Sequence, residues 1–338
     1  MQMKWIVNNG KEKYQLNLAS YSSLFVNHST NEDDLLRPVI EFFQPRSKVK
    51  EVVTIRDHVN DLEEITYHAF TAFELSNNKL REEILLGSKS LLKSHLKSEF
   101  SNHLETDGYI LTINTLANDL LSIVNDELPV NLKDFTIDSF IKLIEVDFSL
   151  VEHESQPNRL LSQNKLIVRT IKKHLKMNYK NPLILFFMFP EFNLSPKEQL
   201  IMKELLNDLS NDVQLFVVTN SKHFISEKLD GMNYFSYGRQ LFTDELINDL
   251  EWESPLPYSK EELLISLTNI VKNYMDMFEL VPLISNYNQS EIVIFKTIDL
   301  YVLIFILNKL KFKYQLDLNP EIIDRPVFEY VMDVYEKI

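Results

Sequence analysis

Residues 181–220 constrain the fold most, because they read as strand, turn, helix and strand in immediate succession. The run Leu183-Ile184-Leu185-Phe186-Phe187-Met188-Phe189 is unbroken and apolar. Such a run suits a strand buried on both faces of a parallel sheet and is too short to span a membrane. Pro190 and Glu191 end it, and Ser195, Pro196 and Glu198 then supply an N-cap, a first-turn proline and a capping-box acid. Leu200, Ile201, Leu205 and Leu209 follow at helical spacing, and Val213 to Thr219 forms the second strand. The connection suits a crossover between parallel neighbours.

This is a nucleotide-binding type of sheet, and Glu191 ends its first strand where nucleotide hydrolases place the acid that handles magnesium and water. No glycine is followed by the spacing of a phosphate loop, however, and the chain holds only five glycines in 338 residues. A hydrolase or ATPase using Glu191 is therefore the alternative function and not the first. Cysteine is absent, which excludes disulfides and thiolate chemistry. No G-x-S-x-G sequence supports a nucleophilic triad. The eight histidines are scattered without the close pairs of a zinc site.

The first residues lack the apolar core of a signal peptide, and a cytoplasmic protein is expected. The longest membrane-like stretch, Leu300 to Leu307, is far below the roughly 20 residues of a spanning helix. Short strands at Lys4–Val7, Tyr14–Leu18 and Val49–Ile55 flank a helix over Leu35–Phe43. Helical periodicity then dominates Leu80–Leu104, Ile110–Val124 and Ser139–Phe148 before a helix at Arg159–Met177 leads into the strand pair. The expected division is an α/β head from residues 1–77 and 159–250, an inserted helical leg at 78–158, and a helical extension at 251–338 beyond the linker-like Trp252-Glu253-Ser254-Pro255-Leu256-Pro257. The apolar helix at Ile292–Leu307 is expected to cover or extend a subunit interface.

A net charge of −14 speaks against nucleic acid only if basic residues are nowhere gathered. They are gathered: Lys165, Arg169, Lys172, Lys173 and Lys176 share one helix flank, with Leu166, Ile167, Ile171 and Leu175 on the other. The stripe fits a phosphate backbone, and it fits a solvated helix face equally well. Arg46, Lys48 and Lys50 alternate along an extended segment, as DNA contacts or as the charged guard of an edge strand. Lys309, Lys311 and Lys313 follow an apolar helix, whose dipole accounts for them. Acids at Asp119, Asp126, Glu127, Asp134 and Asp138 crowd a turn between helices, as calcium ligands or as caps and solvated charges; Asp138 suits a cap.

The order of elements, with Ile167-Val168-Arg169-Thr170-Ile171 leading into Asn181-Pro182-Leu183-Ile184-Leu185-Phe186-Phe187 and then Phe192-Asn193-Leu194-Ser195-Pro196-Lys197-Glu198, resembles the ring-forming DNA-end-binding proteins of type II-A CRISPR systems. The likeness spans residues 3–245, and the C-terminal helices resemble the extension of the family's long subtype. It implies a degenerate P-loop-NTPase-like head without the phosphate loop, an inserted helical leg and no enzymatic activity. It also implies a homotetrameric ring around double-stranded DNA without sequence preference, acting in spacer acquisition beside the CRISPR integrase and the RNA-guided nuclease. Several family members bind calcium near the head-to-leg junction. In the matching stretch Asn125 to Asp134 several acids are replaced, which leaves Asp126 and Glu127 as the residual metal candidates. A scaffold that docks basic partners without touching DNA is the remaining alternative.

Overall fold

The computed structural model describes residues 3–44, 52–60, 62–88, 90–123, 131–146, 159–178 and 181–337. They fall into two compact units, one made of Met1–Leu75 with Asn181–Ile338 and the other of Ser76–Lys180. Both parallel and antiparallel sheets occur, so the fold is mixed α/β. No helix among the described residues is long and apolar enough to cross a membrane.

The first unit begins with β1 (Met3–Asn8), β2 (Lys13–Leu18) and β3 (Tyr21–Phe25), followed by α1 (Glu32–Phe42), β4 (Thr54–Asp57), β5 (Glu63–Glu64) and β6 (Thr71–Ser76). After the second unit come β7 (Leu183–Met188), α7 (Pro196–Leu209), β8 (Gln214–Thr219), β9 (Met232–Ser236) and β10 (Arg239–Leu241). A six-stranded sheet runs β10-β9-β3-β8-β7-β6, and a four-stranded antiparallel sheet runs β2-β1-β4-β5. The expected pair is present: β7 and β8 lie parallel with Leu185 beside Leu215, and β3 continues the parallel set with Tyr21 beside Leu215. The amide and hydroxyl of Ser195 both donate to Glu198 Oε2, at 2.8 and 2.7 Å, starting α7 as the capping box requires.

The central strand β3 is the element that periodicity misses. Its Ser22 and Ser23 are buried, and both are satisfied locally: Ser22 Oγ accepts from the Ala19 amide at 2.8 Å, and Ser23 Oγ accepts from the Ser226 amide at 2.8 Å. Small residues are needed there because the segment 226–231 passes close over the strand. A Cβ on Gly231 would collide with the Tyr21 carbonyl oxygen.

Two buried amides join the sheets. Asn233 on β9 accepts from the Asn17 amide at 2.8 Å and donates to the carbonyls of Asn17 and Ser23 at 3.0 and 3.2 Å. Asn17 on β2 donates to the carbonyls of Met232 and Phe242 at 3.1 and 3.0 Å and accepts from Gln15 Nε2 at 2.7 Å. Every donor and acceptor of this pair is engaged, the condition under which a buried polar contact stabilises.

The C-terminal residues add α8 (Asp244–Trp252), α9 (Lys260–Tyr274), β11 (Leu283–Ser285), β12 (Ile292–Val293), α10 (Thr297–Lys309), β13 (Gln315–Asp317) and α11 (Arg325–Tyr335), with β12-β11-β13 as a small parallel sheet. They share one hydrophobic cluster with Phe25, Met232 and Tyr234 of the larger sheet and with Ile225 between β8 and β9. All residues from Leu300 to Leu307 are buried inside that cluster. The apolar side chains of Leu300 to Leu307 are therefore consumed within the chain, while Phe295 of the expected Ile292–Leu307 stretch is exposed. Lys309 does more than close the helix, since its Nζ reaches Asp249 Oδ2 at 2.9 Å and Glu253 Oε1 at 2.7 Å.

In the second unit α2 (Asn77–Ile84), α3 (Leu91–Asn102), α4 (Thr106–Ser122), α5 (Ile137–Ile141) and α6 (Arg159–Asn178) follow one another. The Arg159–Asn178 helix, placed with the head by sequence, groups here with the inserted helices. The polar clasp between the sheets yields a first prediction. Asn233→Ala strands the Asn17 amide and two carbonyls in the interior and costs on the order of 3 kcal/mol, read as a lowered urea midpoint at unchanged slope.

Candidate nucleic-acid interface

Helix α6 owes its orientation to a continuous buried face of Leu161, Asn164, Ile167, Val168, Ile171, His174 and Leu175. Leu166, expected on that face, is exposed, because the buried line is centred nearer Val168 and Ile171. Beside the buried face run Lys165, Arg169 and Lys172, with Lys173 further round and exposed. No ion pair among the described residues holds Lys165 or Arg169. Lys173 is partly neutralised by Glu99 of α3 at 3.3 Å, a surface pair of the kind that contributes little. Lys176 sits on the last turns of α6, and its side chain lies outside the described residues.

Under the stripe the unit has a polar core. His174 faces His95 of α3 with ring centroids 5.7 Å apart, and both are buried. Burial lowers the pKa of each; His95 is raised again by Glu99 and lowered by Lys173, while His174 is lowered by His95 and raised by Glu83. Both are therefore uncharged at neutral pH and add nothing to the positive field. Glu83 is buried as well and accepts from the Ser90 hydroxyl at 2.7 Å and the Leu92 amide at 2.9 Å.

Sequence reasoning missed a second basic group in this unit. Lys97 of α3 donates to Asp138 of α5 at 2.8 Å, and Lys97, Lys93 and Lys142 all hold the Asp138 carboxyl below its ordinary pKa, the Lys97 hydrogen bond most of all. The signal was present as Lys93 and Lys97, four apart on one helix. Asp138 is not the cap it was expected to be: Thr136 caps α5 by accepting from the Ser139 amide at 3.2 Å. Arg46, Lys48 and Lys50 lie outside the described residues, as do Asp126 and Glu127. Among the described residues no cluster of three or more histidines and carboxylates converges as for a metal ion.

Glu191 bears on the nucleotide alternative. Its Oε1 accepts from the Asn220 amide at 2.8 Å, while Oε2 is buried with no hydrogen-bond partner. Burial raises the carboxyl's pKa, and amide hydrogen bonds pull it partly back. Between β3 and the start of α1 the chain bonds to itself. Asn27 Nδ2 donates to the Tyr234 hydroxyl at 2.9 Å and the Phe235 carbonyl at 3.0 Å, and its Oδ1 accepts from Ser29 and Thr30. The first turn of α1 then carries Glu32, Asp33 and Asp34, a set of charges that repels an anion from the helix N-terminus.

No protein-family model matches the chain, and no curated protein matches it in sequence. Among solved structures, the crystal structure of Stu0660 of Streptococcus thermophilus is similar, with a TM-score of 0.64 over 98% of this chain and 100% of that chain. Identity is 14%. At that level the likeness is one of fold. It extends through both units and the C-terminal residues, so the mixed α/β architecture is shared from end to end.

The histidine pair makes the second unit sensitive to acid. Because the folded state holds both imidazoles below their unfolded pKa of 6.5, the unfolded chain binds more protons there, and stability falls as pH drops below about 6.5. His174→Gln reduces that part of the pH dependence. The measurement is the difference in urea midpoint between wild type and variant at pH 7.5, 6.0 and 5.0.

Proposed function

We propose that this chain is a non-enzymatic protein that binds double-stranded DNA, at ends and without sequence preference, as a tetrameric ring in CRISPR spacer acquisition. The observation that carries the reading is the outward flank of α6, where Lys165 and Arg169 stand without ion pairs among the described residues in a chain of net charge −14. Such a flank contacts phosphates, which carry no sequence information, and so gives affinity without base readout. The fold likeness along the whole chain supports an α/β head with inserted helices and a C-terminal extension. In this reading the six-stranded sheet is a degenerate P-loop-NTPase-like head, kept as a scaffold after its phosphate site was filled by Asn27 and the acids of α1.

Assembly answers the unfavourable net charge. Four copies around one duplex bring four stripes to a single cylinder of phosphates, and the ligand responds to that local field and not to the total. The CRISPR integrase and the RNA-guided nuclease are the protein partners that the resemblance implies. Calcium remains a proposal at Asp126 and Glu127 alone.

The triple variant Lys165→Glu/Arg169→Glu/Lys172→Glu tests the assignment. Linear duplex affinity falls by at least 10-fold for every sequence tried, on the order of 1.4 kcal/mol or more, and the slope of log affinity against log salt becomes shallower by about 0.9 for each phosphate no longer engaged. Closed-circular DNA binds more weakly than linear DNA of the same length if entry is at ends. Unaltered gel-shift titration by the variant would leave the stripe a solvated face, and a wild-type chain that binds neither form would favour the scaffold.

A further inference from the structure

Strands β9 and β10 are joined by two residues only, Tyr237 and Gly238, since Ser236 pairs with Arg239. Both lie in the left-handed region, with φ of 47° and 72°. Hairpin turns of this kind ordinarily place asparagine, aspartate or glycine first, so a tyrosine there is held against its backbone preference. Its polar groups show what holds it. The Tyr237 amide donates to Ser29 Oγ at 3.1 Å, and its hydroxyl lies 3.0 Å from Nε2 of His28. Nδ1 of the same ring lies 2.6 Å from Oε1 of Glu279, in the 3-10 segment Met275–Leu280. Glu279 Oε2 also accepts from the His28 amide at 3.4 Å, so the carboxylate is fixed at both oxygens.

The order of the three groups decides the proton positions. A carboxylate only accepts, so Nδ1 of His28 carries the proton, and Nε2 of the neutral ring is left to accept from the Tyr237 hydroxyl. A nucleophile bonded to a base that a third group orients is the arrangement of nucleophilic catalysis. Tyr237 is 61% exposed, so its oxygen is open to a reactant from solvent. We infer that Tyr237 is a nucleophile that takes an acyl group from an uncharged activated ester, with His28 as its base and Glu279 as the positioning residue. The phenol oxygen bonds to the acyl carbon, the bond from that carbon to the leaving oxygen breaks, and the proton passes through His28 Nε2 to the leaving group. Charge selects an uncharged reactant: Glu279 is bonded to the ring, and Glu32, Asp33 and Asp34 begin four residues beyond His28, so a phosphate ester meets a negative field. The adduct is stoichiometric and forms no part of the DNA reading.

The full-length chain treated with 4-nitrophenyl acetate at about pH 8 tests this without DNA. Peptide mass spectrometry finds the first tyrosine acetylation at Tyr237, and Tyr237→Phe removes it. Tyr109 is an internal control. It is 62% exposed, and its hydroxyl donates to the Glu105 carboxylate at 3.0 Å with no imidazole behind it. In His28→Ala the rate at Tyr237 falls roughly 100-fold, the share that a positioned general base supplies, and added imidazole restores part of it. Equal rates at Tyr237 and Tyr109, or an unchanged rate in His28→Ala, overturn the assignment. Loss without rescue by imidazole makes His28 structural and overturns it too. For Glu279 the readout is the ring nitrogen resonances of His28. They show the Nδ1-protonated tautomer in the wild type and a tautomer mixture in Glu279→Gln; a mixture already in the wild type overturns the relay.

Discussion

The reciprocal amides of Asn17 and Asn233 are the constraint on which the first unit turns. Two sheets of different kinds meet there, one antiparallel and one largely parallel, and both bring backbone groups into a region without solvent. Apolar packing alone would leave the amide of Asn17 and the carbonyls of Met232, Phe242 and Ser23 without partners, each a cost comparable to a lost hydrogen bond. Two asparagines satisfy them all and fix the register of β2 against β9. The position of β3 follows from that register, and with it the closeness of Gly231 to Tyr21 and the burial of Ser22 and Ser23.

The end of the same sheet is occupied by the chain's own side chains. In an open parallel sheet the crevice beyond the strand ends is the natural binding place. Here Asn27 spends both ends of its amide on the chain itself, and three acids occupy the first turn of the following helix. Glu191 follows β7 and accepts from the Asn220 amide. The stability of the sheet comes from buried strands and from the C-terminal helices packed against them. None of these contributions depends on the crevice being filled by a ligand.

What was legible in the sequence followed the strength of local signals. β7, α7 and β8 were readable because an unbroken apolar run and a capping box leave little choice, and the structure reproduces them within a residue or two. β3 was not, because Ser22 and Ser23 look like turn residues until Ser226 and Ala19 are seen to satisfy them. The face of α6 was readable to within part of a turn, which is why Leu166 was misplaced while Lys165, Arg169 and Lys172 were not. The apolar residues of α10 were visible but not their destination, since periodicity cannot distinguish burial within one chain from burial between two.

That last ambiguity sets α10 against α4. Both are rich in apolar residues, and a hydrophobicity count alone would nominate α10 as the contact surface. Burial separates the two: Leu300 to Leu307 of α10 are enclosed within the chain, whereas no residue of α4 is buried and one line of it is half-buried. The helical unit, by contrast, buries Glu83, His95, Asn164 and His174 among its aliphatic residues, so its interior is held by polar contacts as well as by apolar packing.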